Sequence, residues 1–347
     1  MNIDPNPTNG AEAMTTATNL PAVQGRPEAA AIRAAAEAAR LGADENARRS
    51  GAVPEAVRRL SPATCRQRAS QLSRFAAFVE ATRPASIADA ADQWAEARFE
   101  SGAAVATVAA DIGAVRWFAA AAGIAGAATL GAAAIRDARH DSDRRRRGRG
   151  QARAIVWNVA DKIARRAAHD GPKGLRDAAL VAVASDLCAR VSEVAALRVR
   201  DVATAEDGSG TVEVWQPKTG TARTGYLRAS TVRRVGAWTE AAGIGNGSPL
   251  FPSMDRWGRV KEPARAMAAR AVADVIRQRA AASGIERASG HSLRVGAAVS
   301  MAQRGASLVA MQQAGGWKSP DMPAHYGRQA SASRGAVATL RPEDRWA

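Results

Sequence analysis

The chain has 347 residues, 46% of them hydrophobic, and a formal net charge of +16. That length exceeds one small core and fits two domains, and the alanine-rich hydrophobic fraction favours helices with small-residue packing over wide sheets. No run of about 18 apolar residues is present to span a membrane, and the charge excess points to a polyanionic partner, nucleic acid foremost.

Only five of the 49 basic residues are lysine, so arginine, the planar bidentate ligand for phosphate, supplies nearly all of the positive charge. Cys65 and Cys188 lie far apart in apolar contexts, which predicts buried thiols in a reducing, cytoplasmic setting rather than a disulfide. The four histidines show no metal-ligand spacing, so neither a metal site nor a cofactor is expected.

Residues 1–50 read as a polar, mobile tail without a secretory signal, with one short helix over AAAIRAAAEAARL. From Ser61 the pattern changes. SPATCRQRASQLSRFAAFVE carries a Ser N-cap, Pro at the first helical position, and Leu72, Phe75, Phe78 and Val79 on one face. IADAADQWAEARFESG and AVATVAADIGAVRWFAAAAG follow as two more amphipathic helices closed by glycine, giving a helical domain over 51–135.

Residues 136–153 are predicted to be a basic linker, with Arg144, Arg145, Arg146, Arg147 and Arg149 in one run. Two readings stay open for it: a solvated charged loop, or a strand that tracks DNA phosphates. The second domain is predicted over 154–328, with 329–347 as a C-terminal segment. In it, GLRDAALVAVASDLCARVSEVAALRVRDV gives two helices broken near Cys188–Arg190, and TVEVWQPKTGTARTGYLRA gives a β-hairpin with Lys218 at its turn. A helix over 263–282 follows, then two glycine-closed helices in SGHSLRVGAAVSMAQRG and SLVAMQQAGG. SPDMPAHYGR opens a last helix at a Ser-Pro start, and Pro323 and Gly327 both weaken it around Tyr326. The predicted fold class is therefore mainly α, with a small antiparallel sheet.

Cutting DNA without water or metal requires planar cationic donors on the scissile phosphate, a covalent nucleophile and an acid for the departing oxygen. The second domain supplies residues of each type. Arg190 stands at a helix break, His291 and Arg294 lie three apart in His-Ser-Leu-Arg, Lys218 sits on the hairpin tip, and Trp317 offers an indole N–H. Tyr326 is the nucleophile candidate: neighbouring arginines and an imidazolium would favour its phenolate, or His291 could take its proton. Tyr226, the only other tyrosine, falls on the hairpin, where its strand position predicts sheet packing.

A-R-x-S-E-x-x-x-L, a hairpin lysine, H-x-L-R, and G-G-W with a tyrosine nine residues on together resemble the tyrosine recombinase (phage integrase) family. Trp317 stands where that family more often has histidine. The resemblance covers roughly residues 58–340 and implies a two-domain DNA clamp with a helical core-binding domain and a catalytic domain. It further implies that Arg190, His291, Arg294 and Trp317 hold the scissile phosphate, Lys218 is the general acid and Tyr326 forms a 3′-phosphotyrosine, with Glu193 in support. Implied partners are double-stranded DNA carrying an inverted-repeat recombination site and three further copies of the chain, a homotetramer on two sites. Two other activities are compatible with the same residues: topoisomerase IB-like relaxation of supercoils, or DNA binding by an inactive relative.

Overall fold

A computed structural model describes residues 27–146, 150–216 and 221–332. The chain divides into two units, residues 1–149 and 150–347.

Among its described residues the first unit has helices and no strand. It contains α1 (Ala29–Leu41), α2 (Glu45–Arg49), α3 (Glu55–Arg58), α4 (Pro62–Thr82), α5 (Ile87–Glu100) and α6 (Val105–Ala121). A 3₁₀ turn at Ala127–Thr129 leads to α7 (Ala132–His140) and α8 (Ser142–Arg146). Helix α4 starts where the Ser61 hydroxyl accepts the Thr64 N–H at 3.1 Å, and it stops at Arg83, which adopts the left-handed conformation with φ 47°. Leu72, Phe75, Phe99 and Phe118 are fully enclosed in one core, each stabilising the unit by roughly 1.5–3 kcal/mol. A buried carboxylate of this unit, Asp111, accepts from Arg98 Nε at 3.0 Å, Gln71 Nε2 at 3.1 Å and Arg74 Nη2 at 3.2 Å. Its charge is thereby matched and its lone pairs are used.

Two expectations for this region are corrected. Of the tail expected over residues 1–50, residues 1–26 lie outside the described residues and the α1 segment is packed: Ile32, Ala35, Ala36 and Ala39 are buried, and the first three join the core of Leu72 and Phe75. The i, i+3, i+4, i+7 spacing of those four residues makes one apolar stripe, which must be covered. The basic linker over 136–153 is likewise helical to residue 146, because α7 and α8 continue the first unit, with Ile135 and Ala138 buried in it.

The second unit contains α9 (Trp157–Ala167), α10 (Gly171–Asp186), α11 (Val191–Ala196), a 3₁₀ turn, and strands β1 (Val202–Thr204), β2 (Gly210–Gln216) and β3 (Thr221–Leu227). Helices α12 (Ala229–Ala242), α13 (Ala269–Ala282), α14 (Ser292–Gln303), α15 (Leu308–Gly315) and α16 (Asp321–Ala332) complete it. Helix α10 is the central one, with every residue from Arg176 to Ser185 buried. The sheet is antiparallel in the order β1-β2-β3, with Thr211 opposite Tyr226 and Trp215 opposite Ala222. Val212 and Val214 point into the core, so Thr211, Glu213 and Trp215 face outward by the strand's two-residue period.

The helix expected over 263–282 begins only at Ala269, because the preceding backbone is engaged elsewhere. Ala266 bridges Pro252 in antiparallel fashion, and the Met267 N–H donates to the Phe251 carbonyl at 3.0 Å. Helix α16 runs through both Pro323 and Gly327. Pro323 is its third residue, where the missing N–H has no intrahelical partner to lose. Among the described residues no helix is long and apolar enough to cross a membrane. The chain is thus mainly α with one small antiparallel sheet.

Candidate active site

Two helix C-termini build the floor of the site. Helix α10 closes in a Schellman arrangement: the Ala189 N–H reaches the Ala184 carbonyl at 3.1 Å, and the Cys188 N–H reaches that of Ser185 at 3.3 Å. Cys188 occupies the left-handed position usually given to glycine, with φ 47°. This turn presents the Cys188 carbonyl to Arg294, whose Nη1 donates to it at 2.5 Å. The Cys188 thiol itself is buried, which pushes its pKa up to about 11; a protonated thiol of that kind is inert.

Helix α15 ends in the same way. The Trp317 N–H donates to the Gln312 carbonyl at 3.0 Å and the Gly316 N–H to that of Gln313 at 3.2 Å, with Gly316 left-handed at φ 60°. Trp317 therefore leaves the helix in a direction set by its cap. Gly315 makes room for it, since a Cβ there would stand 2.2 Å from the indole.

Four of the expected residues come together on these supports. His291 is the N-cap residue of α14, Arg294 lies in its first turn with 1% exposure, and Tyr326 on α16 is 8% exposed. The Arg294 guanidinium lies over the Trp317 ring, Cζ to centroid 4.2 Å. The Trp317 and Tyr326 ring centroids are 5.8 Å apart, and His291 Nε2 stands 2.9 Å from the Tyr326 phenolic oxygen. Arg294 Nη2 is buried with no hydrogen-bond partner among the described residues, a cationic donor left for an anion to satisfy.

Arg190 caps the start of α11 and is partly exposed, at 43% of its side chain. Its Nη1 donates to Glu193 Oε1 at 2.6 Å and its backbone N–H to Glu193 Oε2 at 3.1 Å. Glu193 is buried beneath it, and burial raises its pKa, but the Arg190 hydrogen bonds and the charges of Arg223 and Arg190 outweigh that and hold it below the ordinary carboxylate range.

The electrostatics revise one expectation. The guanidiniums do favour a phenolate at Tyr326, but burial is the larger influence, so its pKa is raised above that of a free tyrosine. The phenol is held protonated. His291 moves the opposite way: burial first, then Arg294 and Arg190, lower its pKa and keep it neutral. A neutral imidazole with its proton on Nδ1 accepts the phenolic hydrogen at Nε2.

The remaining expected residues divide. Lys218, Arg147 and Arg149 lie outside the described residues. Arg146 is the last residue of α8 and Arg145 is exposed. Arg144 is taken up inside the first unit: it pairs with both Glu96 oxygens at 3.0 and 3.2 Å and covers the Phe99 ring at 4.9 Å, a place that neither reading of the run, solvated loop or phosphate-tracking strand, anticipates. Tyr226 does not pack into the sheet; it is 59% exposed on the outer face of β3 and lies outside this cluster. Sequence reasoning missed Arg223 on β3, whose signal was only a charged residue on an inward-facing strand position.

The phage integrase family profile matches residues 158–332, half of the chain. The recombinase Cre of Escherichia phage P1 is 26% identical over 192 residues, 49% of this chain and 54% of Cre, so the match spans about half the length of that relative. Among solved structures, XerH site-specific recombinase bound to a palindromic difH substrate superposes with a TM-score of 0.64 at 14% identity, over 93% of this chain and 99% of XerH. A lambda integrase dimer bound to a COC′ core site superposes with a TM-score of 0.53 at 17% identity, over 78% of this chain and 73% of that one. Through residues 158–332, which contain Arg190, His291, Arg294, Trp317 and Tyr326, the chain belongs to the phage integrase family.

Proposed function

We propose that this chain is a site-specific DNA recombinase that cuts and rejoins strands through a 3′-phosphotyrosine. The observation that carries the reading is the 2.9 Å contact between His291 Nε2 and the Tyr326 oxygen beside the buried, half-unpartnered Arg294 guanidinium. A raised phenol pKa makes Tyr326 a poor nucleophile by itself, so an adjacent neutral base is what it needs.

In this reading the scissile phosphate sits against Arg294 Nη2, Arg190 and the Trp317 indole N–H, which stabilise the charge that develops on its non-bridging oxygens. The Tyr326 oxygen attacks phosphorus while its proton passes to His291 Nε2. The bond from phosphorus to the 5′ oxygen breaks, and Lys218 protonates that oxygen. Attack by a 5′ hydroxyl reverses these steps. The bond energy is kept in the tyrosyl ester, so rejoining consumes no ATP.

Support for a DNA partner comes from the +16 net charge and from the DNA-bound relatives. A palindromic site such as that of XerH is what two protomers related by a twofold axis read. We extend this to a homotetramer on two inverted-repeat sites, with the first unit as a second DNA-binding element. The test is a Tyr326→Phe variant on a nicked duplex carrying the inverted repeat that the protein selects from a random-sequence pool. Loss of the covalent protein–DNA adduct with unchanged DNA binding is expected. An adduct formed by the variant removes Tyr326 as nucleophile. Relaxation of supercoils by a monomer without site preference would instead assign a topoisomerase.

A further inference from the structure

Arg223 differs from the other described arginines of the second unit. It lies on β3 with 9% of its side chain exposed, and its guanidinium joins three separate segments. Nη1 donates to the Ala314 carbonyl at 2.9 Å, in the last turn of α15 just before the Gly-Gly-Trp bend. Nη2 donates to the Leu187 carbonyl at 3.0 Å, beside the Cys188 turn, and to Glu193 Oε2 at 3.1 Å. Strand β3 gets this close because residue 225 is glycine: a Cβ there would stand 2.4 Å from Leu187 Cδ2.

These contacts touch the supports of three phosphate-binding candidates. Leu187 precedes the carbonyl that holds Arg294, Ala314 precedes Trp317, and Glu193 holds Arg190. The charge count matters as much as the geometry. Glu193 is a buried anion between two cations, Arg190 and Arg223, so the trio carries a net charge of about +1. Without Arg223, Arg190 is the one described cation left in hydrogen-bonded contact with that carboxylate. Arg190, already hydrogen-bonded to Glu193, would then carry the whole of its counter-charge and be drawn further towards it, away from a ligand.

We propose that Arg223 is a positioning residue for the recombination reaction, balancing Glu193 so that Arg190 stays available to the phosphate and tying the ends of α10 and α15 to the β2–β3 hairpin. This rests on the recombinase reading above.

The experiment compares the full chain with Arg223→Gln, Arg223→Lys, Glu193→Gln and the Arg223→Gln/Glu193→Gln double variant. Each is tested on the nicked selected duplex for the dissociation constant, for the single-turnover rate of adduct formation at saturating protein, and for the thermal midpoint. Arg223→Gln should slow adduct formation about 10- to 100-fold with unchanged affinity, the loss expected when a reacting group is misplaced by up to an ångström. Arg223→Lys, which keeps the charge but not the three-way fork, should fall between Arg223→Gln and the parent. Adding Glu193→Gln to Arg223→Gln should raise the rate again, because the carboxylate competing for Arg190 is gone. General loosening of the fold would not give that gain. The proposal is overturned if Arg223→Gln reacts at the parent rate, if the second substitution slows it further, or if rate, affinity and thermal midpoint all fall together. A parent chain that binds the duplex and forms no adduct defeats the recombinase reading, and this one with it. An active parent with an indifferent Arg223→Gln defeats the positioning role alone.

Discussion

Gly315→Ala adds one methyl group, and its consequences for stability and for chemistry differ. The new Cβ would stand 2.2 Å from the Trp317 ring, where ordinary contact begins at 3.4 Å, so the indole must retreat by about 1.2 Å. Alanine in the last turn of α15 gains about 1 kcal/mol of helix propensity, against about 1–3 kcal/mol for overpacking. The net destabilisation is at most about 2 kcal/mol, and the chain stays folded. The indole, however, lies on the Arg294 guanidinium and beside Tyr326. A displacement of about 1 Å at a reacting centre costs up to ~100-fold in rate, equivalent to about 2.7 kcal/mol of barrier. Single-turnover adduct formation at saturating protein measures the rate, and urea denaturation measures stability. Expected are a small shift in urea midpoint, unchanged DNA affinity and a 10- to 100-fold slower reaction, by the same misplacement rule. A folded Gly315→Ala protein that reacts at the parent rate would refute both the packing calculation and the place given to Trp317.

Three further outcomes are expected. The cleavage rate should fall on acidification only once His291 gains a proton; since burial, Arg294 and Arg190 lower its pKa, half-maximal rate should lie below the ordinary histidine value of 6.5, as a pH–rate profile would show. Cys188, raised to about 11 by burial, and Cys65, also buried, should resist iodoacetamide at neutral pH in the folded chain and react fully in urea, as read by mass spectrometry. Asp111→Ala should destabilise the first unit by about 2 kcal/mol in urea denaturation, less than a fully buried pair because Arg74 and Arg98 remain partly exposed.

Helices α4, α5 and α6 were legible because each carries a start signal or an apolar stripe of large residues. Helix α1 was read too weakly: its stripe is one isoleucine and three alanines, and alanine shows helical tendency without showing burial. The helix expected from residue 263 was overextended because backbone pairing with Pro252 and Phe251 is a tertiary event that local pattern does not encode. In the site, types and order of residues were readable for His291, Arg294, Trp317 and Tyr326, but not the balance of forces on them. The raised phenol pKa follows from burial, which depends on how α16 lies on α14. Arg223 was illegible for a related reason, since its three acceptors come from α10, α11 and α15 and converge only after the sheet forms.

The Schellman bend at the end of α15 has a consequence for how such a site changes over generations. The bend is closed by main-chain hydrogen bonds and by the left-handed Gly316, none of which depends on the side chain at 317. An indole can therefore be exchanged for an imidazole without rebuilding the helix, provided position 315, which has no Cβ, still clears the ring. Variation at 317 leaves the bend itself intact and is filtered by the packing and chemistry of the ring, whereas residues 315 and 316 are bound by geometry whichever ring is present.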